Sequence, residues 1–239
     1  MELTSSQELI LWLGTAGMAA GAVIIAAIGF SLPNHERHHV TASFFVCAIA
    51  ACAYLAMATG TGVWMVDDQP VYYARYIDWL VTTPLLLLGL LTVGLAPLAS
   101  GGGEAGRTRN GLIGWVLGAD VLMIATGLVA SLRGESGDRW IWYAISCVFF
   151  LLVLWGLFGP VKQHLDQKMA PLYTKLLGIL TVLWFIYPIL WVLGTEGTGA
   201  IGLTGEILVF AVIDVLAKVG FGIVLVLGIK SASRSHAAA

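Results

Sequence analysis

Charge is scarce in this chain. Only 11% of its 239 residues are Asp, Glu, Lys or Arg, while 59% are hydrophobic, a balance far outside that of an ordinary water-soluble domain. The three cysteines, Cys47, Cys52 and Cys147, sit inside apolar sequence, where a thiol behaves as a small apolar group, so neither a disulfide framework nor a metal site is implied. The twelve basic residues are scattered and the formal net charge is −2. Neither a nucleic-acid-binding surface nor a polybasic lipid patch follows from that. No fixed-period repeat divides the chain.

What the chain has instead is long apolar runs. They recur at about residues 9–32, 40–66, 71–96, 111–132, 140–161, 174–194 and 206–229, each long enough to supply the ~20 residues that cross a hydrocarbon core. The expectation is an all-α membrane protein, a seven-transmembrane-helix bundle forming one domain over residues 1–239 within the lipid bilayer. The first run follows Glu2 and Glu8 with no basic residue before it, and it is longer than the core of a signal peptide, so it reads as the first helix. Arg37, Arg107, Arg109, Lys162, Lys168, Lys175, Lys230 and Arg234 fall on one side of this topology, against Arg133 and Arg139 on the other. That bias predicts a cytoplasmic C-terminus and an N-terminus outside, in a multi-pass protein of the cell (inner) membrane.

The remaining two basic residues, Arg75 and Lys218, lie inside predicted spans, with Asp78, Asp120 and Asp214. An ionisable residue inside a span is costly and marks a functional site by default. Asp214 and Lys218 are four residues apart and share a helix face; they read either as a structural ion pair or as a site holding a ligand between them. A membrane-embedded lysine suits Schiff-base chemistry. Arg75 and Asp78, three apart, form a second possible pair, and two pairs leave one carboxylate that costs less to bury protonated. Asp120, flanked by apolar residues, is the candidate for that neutral group, as a hydrogen-bonded clamp to Thr83. Asp78 and Asp214 fall at a similar depth, each roughly 12 Å below the same membrane edge, and so can flank one amine.

Aromatic side chains gather at that level: Tyr54, Trp79, Trp184, Tyr187 and Trp191, the last three at helical spacing around Pro188. Such a stripe is either packing or a box for a flat apolar ligand.

These segments resemble the microbial (type 1) rhodopsins of the bacteriorhodopsin-like kind. The run Asp214-Val-Leu-Ala-Lys218-Val-Gly-Phe-Gly222 is similar to their retinal-attachment signature, and Ala74-Arg75-Tyr76-Ile-Asp78-Trp79-Leu-Val-Thr82-Thr83-Pro84 to their counter-ion segment. Gly118-Ala-Asp120 with Met123, and Trp184-Phe-Ile-Tyr187-Pro188 with Trp191 and Glu196, extend the likeness to the fourth and sixth spans. The resemblance implies all-trans retinal bound covalently to Lys218 as a protonated Schiff base, with Asp78 as counter-ion and primary proton acceptor and Asp214 as second counter-ion. It implies Arg75 as a gate, Glu196 with Glu206 as an extracellular release pair, and a pocket of Trp79, Leu86, Met123, Phe150, Trp184, Tyr187 and Trp191. Thr83 and Asp120 would join two helices beside it, and Leu86 implies a green-absorbing pigment. Where these pumps carry a carboxylate proton donor, this chain has Gly89; Asp78, Thr82 and Gly89 thus resemble the Asp-Thr-Gly group of bacterial pumps. The implied activity is light-driven outward proton transport, not enzymatic catalysis, in a homo-oligomer of three or five copies. Protons are its cargo, and neither a metal nor nucleic acid is involved. The alternative is a photosensory rhodopsin signalling through a transducer, since sensors also tend to lack that donor.

Overall fold

The computed structural model describes residues 3–98, 102–134 and 136–237, with side chains up to residue 233. Glu2 and the side chain of Arg234, named in the sequence analysis, lie outside the described residues. Seven helical spans cross the molecule: α1 (Ser5–Gly29), α2 (Arg37–Ala58), α3 (Tyr73–Gly94), α4 (Glu104–Ser131), α5 (Asp138–Phe158), α6 (Ala170–Leu193), and a seventh built from α7 (Leu203–Val215), a π-helical turn (Leu216–Gly220) and α8 (Phe221–Ala237). The expected all-α membrane bundle is therefore the observed one. Within their most apolar windows, α3 is 61% buried and the seventh span 56%, against 22–33% for the others. Those two are the inner helices, and the other five turn most of their surface to the surroundings.

Local chemistry sets the helix ends. Thr4 and Gln7 form a reciprocal capping box at the start of α1, so Glu8 lies in the first turn, where an acid suits the helix dipole; the sequence reading had placed it before the helix. The second span was expected to run to residue 66, but α2 stops at Ala58. Gly60 and Gly62 take φ values of +72° and +75°, and the Thr59 and Thr61 hydroxyls donate to carbonyls at the helix end. The apolar residues beyond form an antiparallel hairpin, β1 (Trp64–Val66) on β2 (Gln69–Val71), with Trp64 opposite Val71. Asp67 and Asp68 turn it at φ +48° and +60°, the left-handed pair that a two-residue hairpin of this twist requires. The fourth span starts earlier than the expected residue 111. α4 begins at Glu104, so Arg107 and Arg109 lie on a polar extension of the helix and not in a loop.

Gly14 on α1 is one position where a missing side chain shapes the centre. A Cβ there would collide with the ring of Tyr54, whose hydroxyl reaches the site described next.

Candidate functional site

The π-helical turn Leu216–Gly220 carries Lys218 at its middle. A one-residue widening of a helix is rare and occurs mostly at functional positions. Here it follows directly on Asp214 and Val215, and the 2%-exposed ammonium of Lys218 is held between two carboxylates, Asp78 Oδ2 on α3 at 2.7 Å and Asp214 Oδ1 at 3.0 Å. The structure thus brings together the three groups that depth and spacing had placed at one level.

The two carboxylates differ in their partners. Asp214 accepts from Tyr54 on Oδ2 at 2.7 Å, and on Oδ1 from Tyr187 at 2.8 Å and the Trp79 indole at 3.3 Å, besides Lys218. Four donors hold it as a fixed anion. Asp78 accepts from Lys218 through Oδ2, and its Oδ1 is buried with no hydrogen-bond partner among the described residues. Of the pair, Asp78 is the one with room for a proton. Thr82, one turn on, donates to the Asp78 carbonyl at 2.8 Å.

Arg75 does not pair with Asp78, the pairing its spacing had suggested. Its guanidinium lies 3.9 Å over the Phe210 ring and 3.4 Å from Glu206 Oε1. Glu206 is only 2% exposed, so among the described residues the buried set is two cations against four carboxylates, one more acid than the sequence reading had counted. Its second oxygen accepts from the Thr195 amide and hydroxyl, both at 2.8 Å. A side chain on Gly194 would meet that oxygen at 2.7 Å, which is why glycine suits the end of α6. Glu196 makes no hydrogen bond to Glu206. It accepts instead from Tyr76 at 2.7 Å and Ser131 at 3.0 Å. Burial, with the neighbouring Glu206 charge second, pushes the Glu196 carboxyl from 4.5 up to about 7.

On its other side Lys218 opens into an apolar cavity enclosing about 820 Å³ of empty space, its open mouth included. Trp79, Thr83, Leu86, Met123, Phe150, Trp184, Tyr187 and Trp191, all anticipated, line it. Asp120 does not. It sits behind Thr83, which donates to its Oδ2 at 2.8 Å, the clamp between α3 and α4 that the sequence suggested. The wall also includes Tyr143, Cys147 and Phe210, which the sequence reading left out, although Phe210 lies one turn before Asp214 and that spacing could have found it. Ser131 was missed as well, and no sequence pattern marks it: its partners come from α3, α6 and the segment after α6.

A membrane bundle with a buried lysine between two carboxylates, at the closed end of an aromatic cavity, is the design of a seven-helix chromophore protein. The comparisons give the family. Residues 5–232 match the model of the bacteriorhodopsin-like proteins, and the chain belongs to that family. It is 40% identical to cruxrhodopsin-3 of Haloarcula vallismortis over 94% of this chain and 91% of that one. Among solved structures, the thermophilic rhodopsin of Rubrobacter xylanophilus superposes with a TM-score of 0.87 at 37% identity, covering 95% of this chain and 97% of that one. The light-driven proton pump CsR of Coccomyxa subellipsoidea gives 0.83 at 37% identity, covering 95% and 98%. The chain is a multi-pass protein of the cell membrane.

Proposed function

We propose that this protein is a light-driven outward proton pump, an ion transporter and not an enzyme, formed as one retinal-binding domain over residues 1–239. The observation that carries the reading is Lys218 Nζ between Asp78 and Asp214, facing an aromatic cavity on one side and Arg75 with Glu206 on the other. The residues fit all-trans retinal: Lys218 offers the amine for a Schiff base, the two carboxylates balance its charge, and Trp79, Trp184 and Tyr187 give flat apolar walls. When bound there, retinal supplies a light-driven isomerisation that changes where the proton on the Lys218 nitrogen points.

Everything else belongs to the chain. Asp214, held by four donors, keeps its charge and its place, whereas Asp78 takes the proton from the Lys218 nitrogen on a carboxylate oxygen, Oδ1 being free of partners. Neutralising Asp78 leaves Arg75 to Glu206, already its ion-pair partner, with Glu196 and Asp214 as the other carboxylates acting on it. A guanidinium drawn that way favours loss of a proton from the Glu196–Glu206 region, and Asp78, Asp214, Glu196 and Glu206 are the acceptors of that half. The basic residues bias the loops so that this half faces outside, with the C-terminus in the cytoplasm.

Reprotonation has no carboxylate to draw on at Gly89. The site resembles the Asp-Thr-Gly group through Asp78, Thr82 and Gly89, and a Cβ on Gly89 would meet Leu225 at 3.0 Å. The proton must then come from the cytoplasmic solution. A homo-oligomer of three or five copies in the inner membrane completes the reading.

Light-induced pH change in an unbuffered suspension of retinal-supplied cells tests it. Reversible acidification abolished by a protonophore is the expected result. A coloured, photoactive protein that changes no pH would overturn the pump and put a photosensor signalling through a transducer in its place.

A further inference from the structure

Three oxygens meet at one point between α3, α4 and the segment after α6. Tyr76 Oη lies 2.5 Å from Ser131 Oγ and 2.7 Å from Glu196 Oε2, and Ser131 Oγ lies 3.0 Å from the same Glu196 oxygen. The Trp191 indole donates to Ser131 Oγ at 2.9 Å, and Ser131 has a fourth neighbour, the Gly127 carbonyl, at 3.2 Å. Tyr76 and Trp191 also line the cavity. Ser131, 3% exposed, touches both cavity-wall residues and Glu196.

Counting protons shows what this hub does. A serine hydroxyl gives one proton and accepts two. When Glu196 is ionised, Tyr76 and Ser131 both donate to it, and no proton is left for the 2.5 Å contact between them. When Glu196 is protonated, it donates to Tyr76, Tyr76 donates to Ser131, and Ser131 turns to the Gly127 carbonyl. Every polar hydrogen then has an acceptor, and the short Tyr76–Ser131 contact holds a proton. Each arrangement leaves one of the three contacts without a proton, Tyr76–Ser131 in the first and Ser131–Glu196 in the second.

We propose that Ser131 is a positioning residue for proton release: its hydroxyl ties the cavity wall at Tyr76 and Trp191 to Glu196 and exchanges acceptors as Glu196 gains or loses its proton. The assignment rests on the outward-pump reading, with Glu196 as a group that gives up the proton. Besides Ser131 on α4, the charged and titratable groups facing Glu196 are Arg75 and Tyr76 on α3 and Glu206 on α7. A carboxyl at about 7 populates both arrangements near neutrality.

The sign of a substitution follows. Removing the Ser131 hydroxyl takes a donor from the ionised state, where its bond is charge-assisted and stronger, and only a neutral acceptor from the protonated one. The ionised state loses more.

The test is a dark-state infrared titration of the Glu196 carboxyl in the retinal-loaded protein, its band assigned as the one lost in Glu196→Gln. The midpoint moves up by about one pH unit in Ser131→Ala and returns towards the parent value in Ser131→Thr, which restores a hydroxyl. Tyr76→Phe, which removes the other donor, also moves it up. With a pH-indicating dye after a flash, the upper pH limit of early proton release follows the same order. An unchanged or lowered midpoint in Ser131→Ala or Tyr76→Phe, with visible absorption intact, overturns the proposal, as does a Glu196→Gln variant that loses no titrating band. Should the midpoints move as expected while the parent protein releases no proton in light, the pump reading fails and the Ser131–Glu196 coupling stands.

Discussion

The two halves of the bundle on either side of Lys218 are built from different materials. Towards Glu196 the buried polar groups form three clusters: Lys218 with Asp78 and Asp214, Arg75 with Glu206, and Tyr76 with Ser131 and Glu196. Towards Gly89 the interior is Leu87, Leu90, Leu225 and Val226, all buried, with Leu225 packed against the glycine. Thr92, the hydroxyl nearest Gly89 along α3, is spent on the carbonyls of Leu88 and Gly89. Buried polar groups are stable only with partners, so the first half holds several clustered proton sites, whereas the buried neighbours of Gly89 are apolar and the buried His39 of that half pairs with Glu36 at the start of α2. On the pump reading, direction comes from clustered acceptors on one side of Lys218 and apolar packing around Gly89 on the other.

Substitutions break this asymmetry with graded force. Lys218→Ala removes the attachment point and leaves Asp78 and Asp214 facing each other unbalanced. No visible absorption is expected after retinal addition, and loss of a buried partner of this kind costs about 3–5 kcal/mol, readable as a lower Tm of the apoprotein. Asp78→Asn removes the acceptor and lowers the initial rate of light-driven acidification about 100-fold or more. Asp214→Asn costs more stability than Asp78→Asn, because its four donors lose an anion instead of one.

In the Gly89 half, the photocycle's recovery after a flash is expected to slow as pH rises, approaching about tenfold per unit if bulk protons limit it. Gly89→Asp combined with Leu225→Ala, which makes the room, flattens that dependence. A recovery independent of pH between about 6 and 9 in the parent protein would show that an internal donor exists.

In the other half, a group that gives a proton must hold one in the dark. Glu196, raised to about 7, does so below that pH, so early release is full there and fades above it; Glu196→Gln removes this midpoint. The same shift makes folding stability fall as pH rises from the carboxyl's ordinary 4.5 to about 7, since the folded state keeps a proton that the unfolded chain gives up. Thermal melts of Glu196→Gln should lack that slope. The smallest effect lies at the hairpin, where Asp68 holds φ +60°. Asp68→Gly relieves a left-handed conformation and raises stability by about 0.5–1 kcal/mol, seen as a slightly higher Tm with unchanged absorption.

The spans, the buried lysine and its two carboxylates were legible in the sequence because each obeys a local rule. Some 20 apolar residues make a crossing, and a charge inside one stands out against them. Nine of the ten residues expected to hold the cofactor touch the cavity or end in it; only Asp120 lies behind the wall. The hairpin was not legible, since hydropathy counts Trp64, Met65 and Val66 as span while backbone geometry at Gly60 and Gly62 ends the helix.

By itself the sequence determined that this protein crosses the membrane seven times, and that Lys218, Asp78 and Asp214 share one depth, since both follow from residue type and rise along a helix. Only the tertiary structure decided that Arg75 belongs to Glu206 and not to Asp78, that Asp214 is saturated while Asp78 keeps a free oxygen, and that Ser131 joins Tyr76, Trp191 and Glu196. Those choices depend on which helices meet and at what rotation. A hydrogen bond needs its atoms within about 3 Å, and no spacing along one helix specifies what a different helix brings to that distance.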